Sequence, residues 1–337
     1  MKKEKMLLAF LPFILVIVLL GTPISTTAKT YIWAVAASWE KIHPNNVPLI
    51  HLMEIVNEKC KTKDDNLEMK WVGGPETFKE QDLPTACKVG SVDLFHSSNL
   101  YYSGVVPQSD YTSLPYGWSF ENASEMWHAG IHDLVDKAWQ KKDIKVLSFQ
   151  SLLSFYFFLT KPFTKLSDFE GKKLRVPGGL FAYTPGYIGA VSTPLASAEV
   201  YGAMQRGMID GGLQPFSSYV QYSYWEVAPY VLDHPLTIAG AWYWIGLKKF
   251  NDLPKSLQTK LLEIARTEEA YSVNFWKQKH EDWRKIMNDR GTKFVSFSAE
   301  DKKKTTEAIM KLKDRLAAKV PKEESEALFK IYDRFVK

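Results

Sequence analysis

Two stretches decide the fold: LSDFEGKKLRVPGG at 166–179 and STPLASAEVYGAMQRGMIDGGLQP at 192–215. In the first, Asp168 and Gly171 mark a turn. Lys173–Val176 reads as a short strand, and Pro177-Gly178-Gly179 bends the chain away from it. In the second, Ser197–Arg206 has helical spacing and Ile209–Gly212 reads as another strand. Arg175 therefore stands at the carboxyl end of a strand, beside a forced bend. Its guanidinium is a rigid fork of donors that matches a carboxylate bidentately. The residues alone leave two readings of it open, a ligand carboxylate or an ordinary surface or interdomain salt bridge.

Upstream, Thr30–Ala37 alternates as a strand and Asn46–Cys60 carries Val47, Ile50, Met53 and Val56 at helical spacing. Leu67–Val72 reads as a strand, Lys79–Val89 as a helix and Val92–Phe95 as a strand. Strand and helix in alternation predict a parallel sheet with helices on its faces. Ala123–Lys141 follows as a helix and Ile144–Phe149 as a strand. Leu152–Leu159 is a nearly continuous apolar strand, the mark of burial on both faces. Downstream, Tyr183–Ile188 reads as a helix, Leu253–Asp289 as one very long helix, Lys293–Phe297 as a strand and Ala299–Val320 as a helix. No internal repeat or flexible tether interrupts the order. In open α/β sheets the ligand sits at the carboxyl ends of the strands.

At the N-terminus, Lys2, Lys3 and Lys5 precede an apolar run from Leu7 to Leu20, then small residues ending at Ala28. This is the layout of a secretory signal peptide at 1–28; the run is short for a membrane span. Removing it lowers the net charge of the 337-residue chain from +5 to +3. No basic run is interleaved with aromatics, so nucleic acid is not an expected partner. Export permits a disulfide, and Cys60 and Cys87 form either one bridge or two separate buried thiols. Aromatics make up 14% of the chain, enough to supply pocket walls as well as cores.

The 166–215 block resembles the signature of the solute receptors of tripartite ATP-independent periplasmic (TRAP) transporters, the DctP-like proteins. The residues that carry the resemblance are Asp168, Gly171, Lys173, Arg175, Val176 and Pro177. They continue through Gly189, Ala190, Pro194, Glu199, Val200, Tyr201, Ala203, Gln205, Gly207, Asp210, Gly211 and Pro215. Val89–Asp93 and Leu114-Pro115-Tyr116 resemble further family segments.

The resemblance implies a two-lobed α/β periplasmic binding protein, each lobe a mixed sheet flanked by helices, with the long helix spanning both lobes. Lobe I would be 29–152 plus about 241–282 and lobe II 153–240 plus about 283–337, with the ligand between them. It implies that Arg175 binds the ligand's carboxylate, that membrane transporter subunits receive the ligand, and that a homodimer is compatible with the family.

Three departures from the pattern bear on the ligand. Gln214 stands where the family has a ligand-facing Asn, and Ser197 where an aromatic is common. The strand Ser154–Leu159 lacks the second Arg of many members, which points to a monocarboxylate rather than a dicarboxylate. Trp39, Tyr101, Phe181, Tyr183 and one of Trp242 or Trp244 are the further candidates for the ligand pocket.

Nothing selects an enzyme or a cofactor. His128 and His132 lie four apart but lack the Glu of a zinc-protease helix, so an exposed or capping pair is expected. No nucleophile elbow, phosphate loop or dinucleotide fingerprint is present. A ligand-sensing protein that partners a membrane sensor kinase is the alternative function.

Overall fold

A computed structural model describes residues 28–115, 119–120, 122–195 and 197–335. The signal-peptide reading of 1–27, Tyr116 and Ala196 lie outside the described residues.

Ten strands carry the architecture: β1 (Lys29–Ala37), β2 (Asp65–Gly73), β3 (Leu94–Ser98), β4 (Ile144–Leu159) and β5 (Lys173–Val176), then β6 (Val191–Pro194), β7 (Gly211–Pro215), β8 (Tyr230–Leu232), β9 (Thr237–Gly246) and β10 (Lys293–Val295). They form one path, β2-β1-β3-β9-β4-β7-β5-β6, with β8 bridging β4 to β10. The parallel pairings expected from the alternating order are present: β1 with β2 and β3 in one lobe, β5 with β6 and β7 in the other.

The two lobes share β4 and β9. β4 pairs with β9 from Ile144 to Phe155, and β9 pairs antiparallel with β3; from Phe155 to Leu159 β4 pairs with β7, and at Phe158 and Leu159 with β8. The expected pair of strands at 144–149 and 152–159 is thus one strand of 16 residues, with a register shift between Gln150 and Leu153. A bulge takes the place of a turn, which bends the strand without ending it.

Burial on both faces of β4 follows its alternation. Phe155, Phe157 and Leu159 enter one core cluster, and Tyr156 and Phe158 another. β9 behaves alike: Trp242 and Trp244 point into the first of these clusters, Tyr243 and Ile245 into a third.

The long helix runs from Lys255 to Asp289. Its 35 residues span about 50 Å at 1.5 Å per residue. Leu257, Leu261 and Ile264 pack into the core against β1 and β3, and Trp276, Trp283 and Met287 into the core of the other lobe. Two buried carboxylates fasten its middle to the first lobe. Glu268 meets His51 at 2.5 Å, and Glu269 meets Ser148 Oγ at 2.7 Å and His128 at 2.6 Å.

Of the two readings of the cysteines, separate buried thiols is the one found: Cys60 and Cys87 are free, buried in different clusters, with burial pushing their thiols up to about 11 and about 12. Two helix expectations are corrected. The helix expected at 123–141 is broken at Gly130, whose φ of 127° no helix accommodates. His128 and His132 consequently serve different partners, Glu269 and the Val146 carbonyl at 3.0 Å. The helix expected at 299–320 is two, Ala299–Met310 and Leu312–Ala317, and a further one, Lys322–Tyr332, follows.

Candidate functional site

The cleft lies where the parallel strands of both lobes end. Trp39 follows β1, Tyr101 follows β3, Arg175 and Pro177 close β5, Ser197 follows β6, and Gln214 belongs to β7. All six line one cavity of about 550 Å³, its opening to solvent included. Trp39, Tyr101, Arg175 and Ser197 also line its outer mouth. This is the place that strand topology reserves for ligands in open α/β sheets.

Arg175 sits inside, 1% exposed. Its Nε donates to the Leu195 carbonyl at 2.9 Å, Nη1 to the Leu213 carbonyl at 3.2 Å, and Nη2 to Ser197 Oγ at 3.3 Å. These three bonds hold the plane of the fork. Among the described residues no carboxylate forms an ion pair with it, so the second reading left open by the sequence, a salt bridge, is not what the site contains. Burial pulls its pKa down, while the Tyr101, Tyr224 and Glu80 side chains act the other way. A buried cation without a formal counter-ion is costly, and an arriving anion removes that cost.

Gln214 is 1% exposed and directly opposite Tyr156 in the β4–β7 ladder. Its Nε2 donates to Tyr224 Oη at 3.5 Å, and Tyr224 Oη donates to the Ser197 carbonyl at 3.0 Å. Arg175, Ser197, Tyr224 and Gln214 thus form one network.

Arg175 also needs Gly212. A Cβ on Gly212 would stand 3.1 Å from Arg175 Cβ. Gly212→Ala is expected to displace the guanidinium and weaken ligand binding by roughly fivefold, at the lower end of overpacking costs of about 1–3 kcal/mol. Calorimetric titration checks this; unchanged affinity would show that Arg175 tolerates the shift.

Trp39 packs on His96 with ring centroids 5.1 Å apart and on His43 at 6.1 Å. Tyr101 interacts with both Glu80 and Arg175, and burial with the nearby Glu80 raises its pKa. Glu40, Glu80 and Glu199 line the mouth. Burial raises the Glu80 pKa, against the hydrogen bond from Tyr101 and the charge of Arg175.

Four sequence candidates lie outside the cavity. Phe181 is fully buried behind it, edge-on to the cleft-lining Phe155 at 5.0 Å. Tyr183 lies under the Arg315 guanidinium at 4.4 Å. Trp242 and Trp244 share one face of β9 and stack into the core, where Trp244 lies 4.9 Å from Phe95. Their spacing of two puts both on one face of β9, and that face is the interior. Tyr102, beside Tyr101, is buried and donates to the Glu80 carbonyl at 2.8 Å.

Conversely, Asn45, Gln150 and Trp276 line the cavity and were not singled out. The signal for Gln150 is a lone amide between the apolar runs ending at Phe149 and starting at Leu152. Trp276 stands at helical spacing with Leu257, Leu261 and Ile264, which marks it for the helix's apolar face rather than for a pocket.

His43 and His96 are buried as neutral imidazoles, desolvation holding them down to about 4 and about 3. An unfolded histidine titrates near 6.5, so the unfolded chain takes up protons first as pH falls. Their contribution to stability is fully present above about pH 6.5 and is lost as pH falls toward 4. At pH 5 this amounts to about 2 kcal/mol per histidine. Urea unfolding at pH 7.5 and 5.0 is expected to show a lower midpoint at pH 5.0; a higher one would contradict the neutral burial.

Two α/β lobes with a guanidinium buried at the strand ends between them are the architecture of a solute-binding protein. The chain belongs to the family described as bacterial extracellular solute-binding protein, family 7 (DctP), whose model matches residues 36–319. The C4-dicarboxylate-binding periplasmic protein DctP of Rhodobacter capsulatus is 22% identical over 317 residues, 90% of this chain and 94% of that protein. A TRAP periplasmic solute-binding protein from Sulfitobacter sp. NAS-14.1, crystallised with β-D-galacturonate, superposes with a TM-score of 0.78 at 22% identity. It covers 90% of this chain and 100% of its own. DctP7 of Bordetella pertussis, an extracytoplasmic solute receptor binding pyroglutamic acid, gives 0.79 at 18%, covering 90% and 99%. Three other curated solute-binding proteins are matched over 57% to 67% of their own length.

Proposed function

We propose that this chain is an extracytoplasmic receptor that captures a small organic acid, a monocarboxylate, and delivers it to a secondary TRAP-type membrane transporter. The observation that carries this reading is Arg175: a guanidinium buried in the cleft, braced by two carbonyls and a hydroxyl, and without a carboxylate partner among the described residues. It is the only cation lining the cavity or its mouth, among the described residues. A second anionic group reaching outward would meet Glu40, Glu80 and Glu199, which favours a single carboxylate.

Closure of 29–152 with about 241–282 over 153–240 with about 283–337 would exclude water from the Arg175–carboxylate pair and strengthen it. The closed outline is then what the membrane subunits would read. The export signal at 1–28 fits a protein that works outside the cytoplasm. Family membership supports transport over the sensor-kinase alternative, and no enzymatic step is proposed.

Thermal unfolding with a panel of paired mono- and dicarboxylates of matched skeleton tests the ligand class. A monocarboxylate at 100 times its Kd is expected to stabilise the protein by about 2.7 kcal/mol. Stabilisation by the dicarboxylates alone would overturn the monocarboxylate assignment.

A further inference from the structure

We propose that the acid accepted by this cleft carries, apart from its carboxylate, a hydrogen-bond donor (a hydroxyl or an N–H) and that Gln150 with His96 behind it selects for that group. The inference rests on the reading of Arg175 as the carboxylate anchor, and it concerns a different wall of the same cavity.

Asn46 Nδ2 donates to two backbone carbonyls, Trp39 at 2.9 Å and Glu40 at 2.8 Å. Its orientation is thereby settled, and Asn46 Oδ1 must be an acceptor. It lies 3.1 Å from His96 Nδ1, so that nitrogen carries the imidazole proton. His96 is fully buried and neutral, which leaves Nε2 as a bare lone pair. It has no partner.

Gln150 is fixed in the same way. Its Nε2 donates to the Asn45 carbonyl at 2.8 Å, so Oε1 is the acceptor end of the amide, and it too has no partner. Gln150 is 1% exposed and lines the cavity. The Gln150 side chain also acts on His96, raising its pKa against the burial that lowers it, so the two groups are neighbours. Asn45 Oδ1, on the same wall, is a third acceptor without a partner.

Buried acceptors without donors are costly, and adjacent lone pairs repel. Among the described residues, the bonds already made hold both groups as they are. His96 would have to break its bond to Asn46 to present a proton, and Asn46 would lose two carbonyl bonds by turning. A donor arriving with the ligand resolves it at once. Trp276 Nε1 is the complementary case, a buried donor lining the cavity with no acceptor. One hydroxyl, which both donates and accepts, has the chemistry to serve both groups. A wholly aliphatic acid has not. A site built this way rejects the analogue that lacks the donor, because its own polar groups then stay unpaired.

Isothermal titration of the mature protein with three pairs of acids tests this. The pairs are 4-hydroxybutanoate with 4-methoxybutanoate, trans-4-hydroxycyclohexanecarboxylate with its methyl ether, and pyroglutamate with N-methylpyroglutamate. In the pair that fits, the donor-bearing acid is expected to bind at least about tenfold more tightly than its methylated partner. Gln150→Leu is expected to shrink that ratio to about threefold or less. Gln150→Met is the second variant should the leucine impair folding, and the wild-type ratio needs neither.

Equal affinities within every pair, or a preference that survives both substitutions, overturn the proposal and leave the carboxylate reading standing. Failure of all six acids to bind, or binding that Arg175→Ala leaves intact, overturns the underlying acid-receptor reading and this proposal with it. The two failures are therefore told apart by the same titrations.

Discussion

Arg175→Ala is expected to weaken acid binding by roughly 30- to 4,000-fold, the equivalent of the about 2–5 kcal/mol that truncating one partner of a buried, hydrogen-bonded charge pair costs. The loss has two sources. The ligand carboxylate would enter a buried site without its cation. The Leu195 and Leu213 carbonyls and Ser197 Oγ, now satisfied by the guanidinium, would also lose their donors. Arg175→Lys separates charge from shape. The ammonium restores a positive charge but not the planar fork, so a deficit of tens-fold is expected to remain. Fold should survive both changes, since the alanine removes a desolvated charge that costs stability in the empty protein. Titration beside a melting curve checks both statements.

Trp244→Ala should act in the opposite sense, large on stability and small on binding. The indole is fully buried and stacks 4.9 Å from Phe95. Tyr102 and Trp139 stand edge-on at 5.3 and 5.6 Å. Truncation leaves a cavity in the largest core cluster and is expected to cost about 3–5 kcal/mol. For a chain of this size that is on the order of 10 °C in Tm. Trp244 does not line the cleft, so affinity measured well below the new Tm should change by less than about threefold. A large loss of affinity with little loss of Tm would return Trp244 to the ligand pocket, where period-two spacing alone had placed it as a candidate.

The contrast between these two residues shows what was legible in the sequence. β5 is found at Lys173–Val176 as expected, because a Pro-Gly-Gly bend marks its end without ambiguity. The long helix was legible from its apolar ridge, within two residues at its start. Arg175, Gln214, Ser197, Trp39 and Tyr101 all reach the cleft, since each follows or ends a strand whose carboxyl end faces it.

Where sidedness depended on tertiary context, the pattern was silent. Trp242 and Trp244 were correctly spaced for one face of a strand, but nothing local says which face the core claims. β3 was expected at Val92–Phe95 and occurs at Leu94–Ser98, because His96 and Ser97 are polar residues buried by specific hydrogen bonds. β7 moves likewise, from 209–212 to Gly211–Pro215. There a Cβ on Gly211 would approach the Phe158 carbonyl to 2.4 Å, so this glycine is what lets the strands meet. Strands β6, β8 and β9 went unassigned for the same reason: short or aromatic segments acquire their identity from their neighbours in the sheet.

The central claim is that the guanidinium at 175 receives an anionic end of the bound solute inside the cleft. Crystallising the protein with the tightest-binding acid from the titrations measures it most directly. The expected result is a carboxylate with both oxygens at about 2.7–2.9 Å from nitrogens of Arg175, the geometry of a charge-assisted fork. A solute seated elsewhere, or one turning an uncharged end toward Arg175, would contradict it.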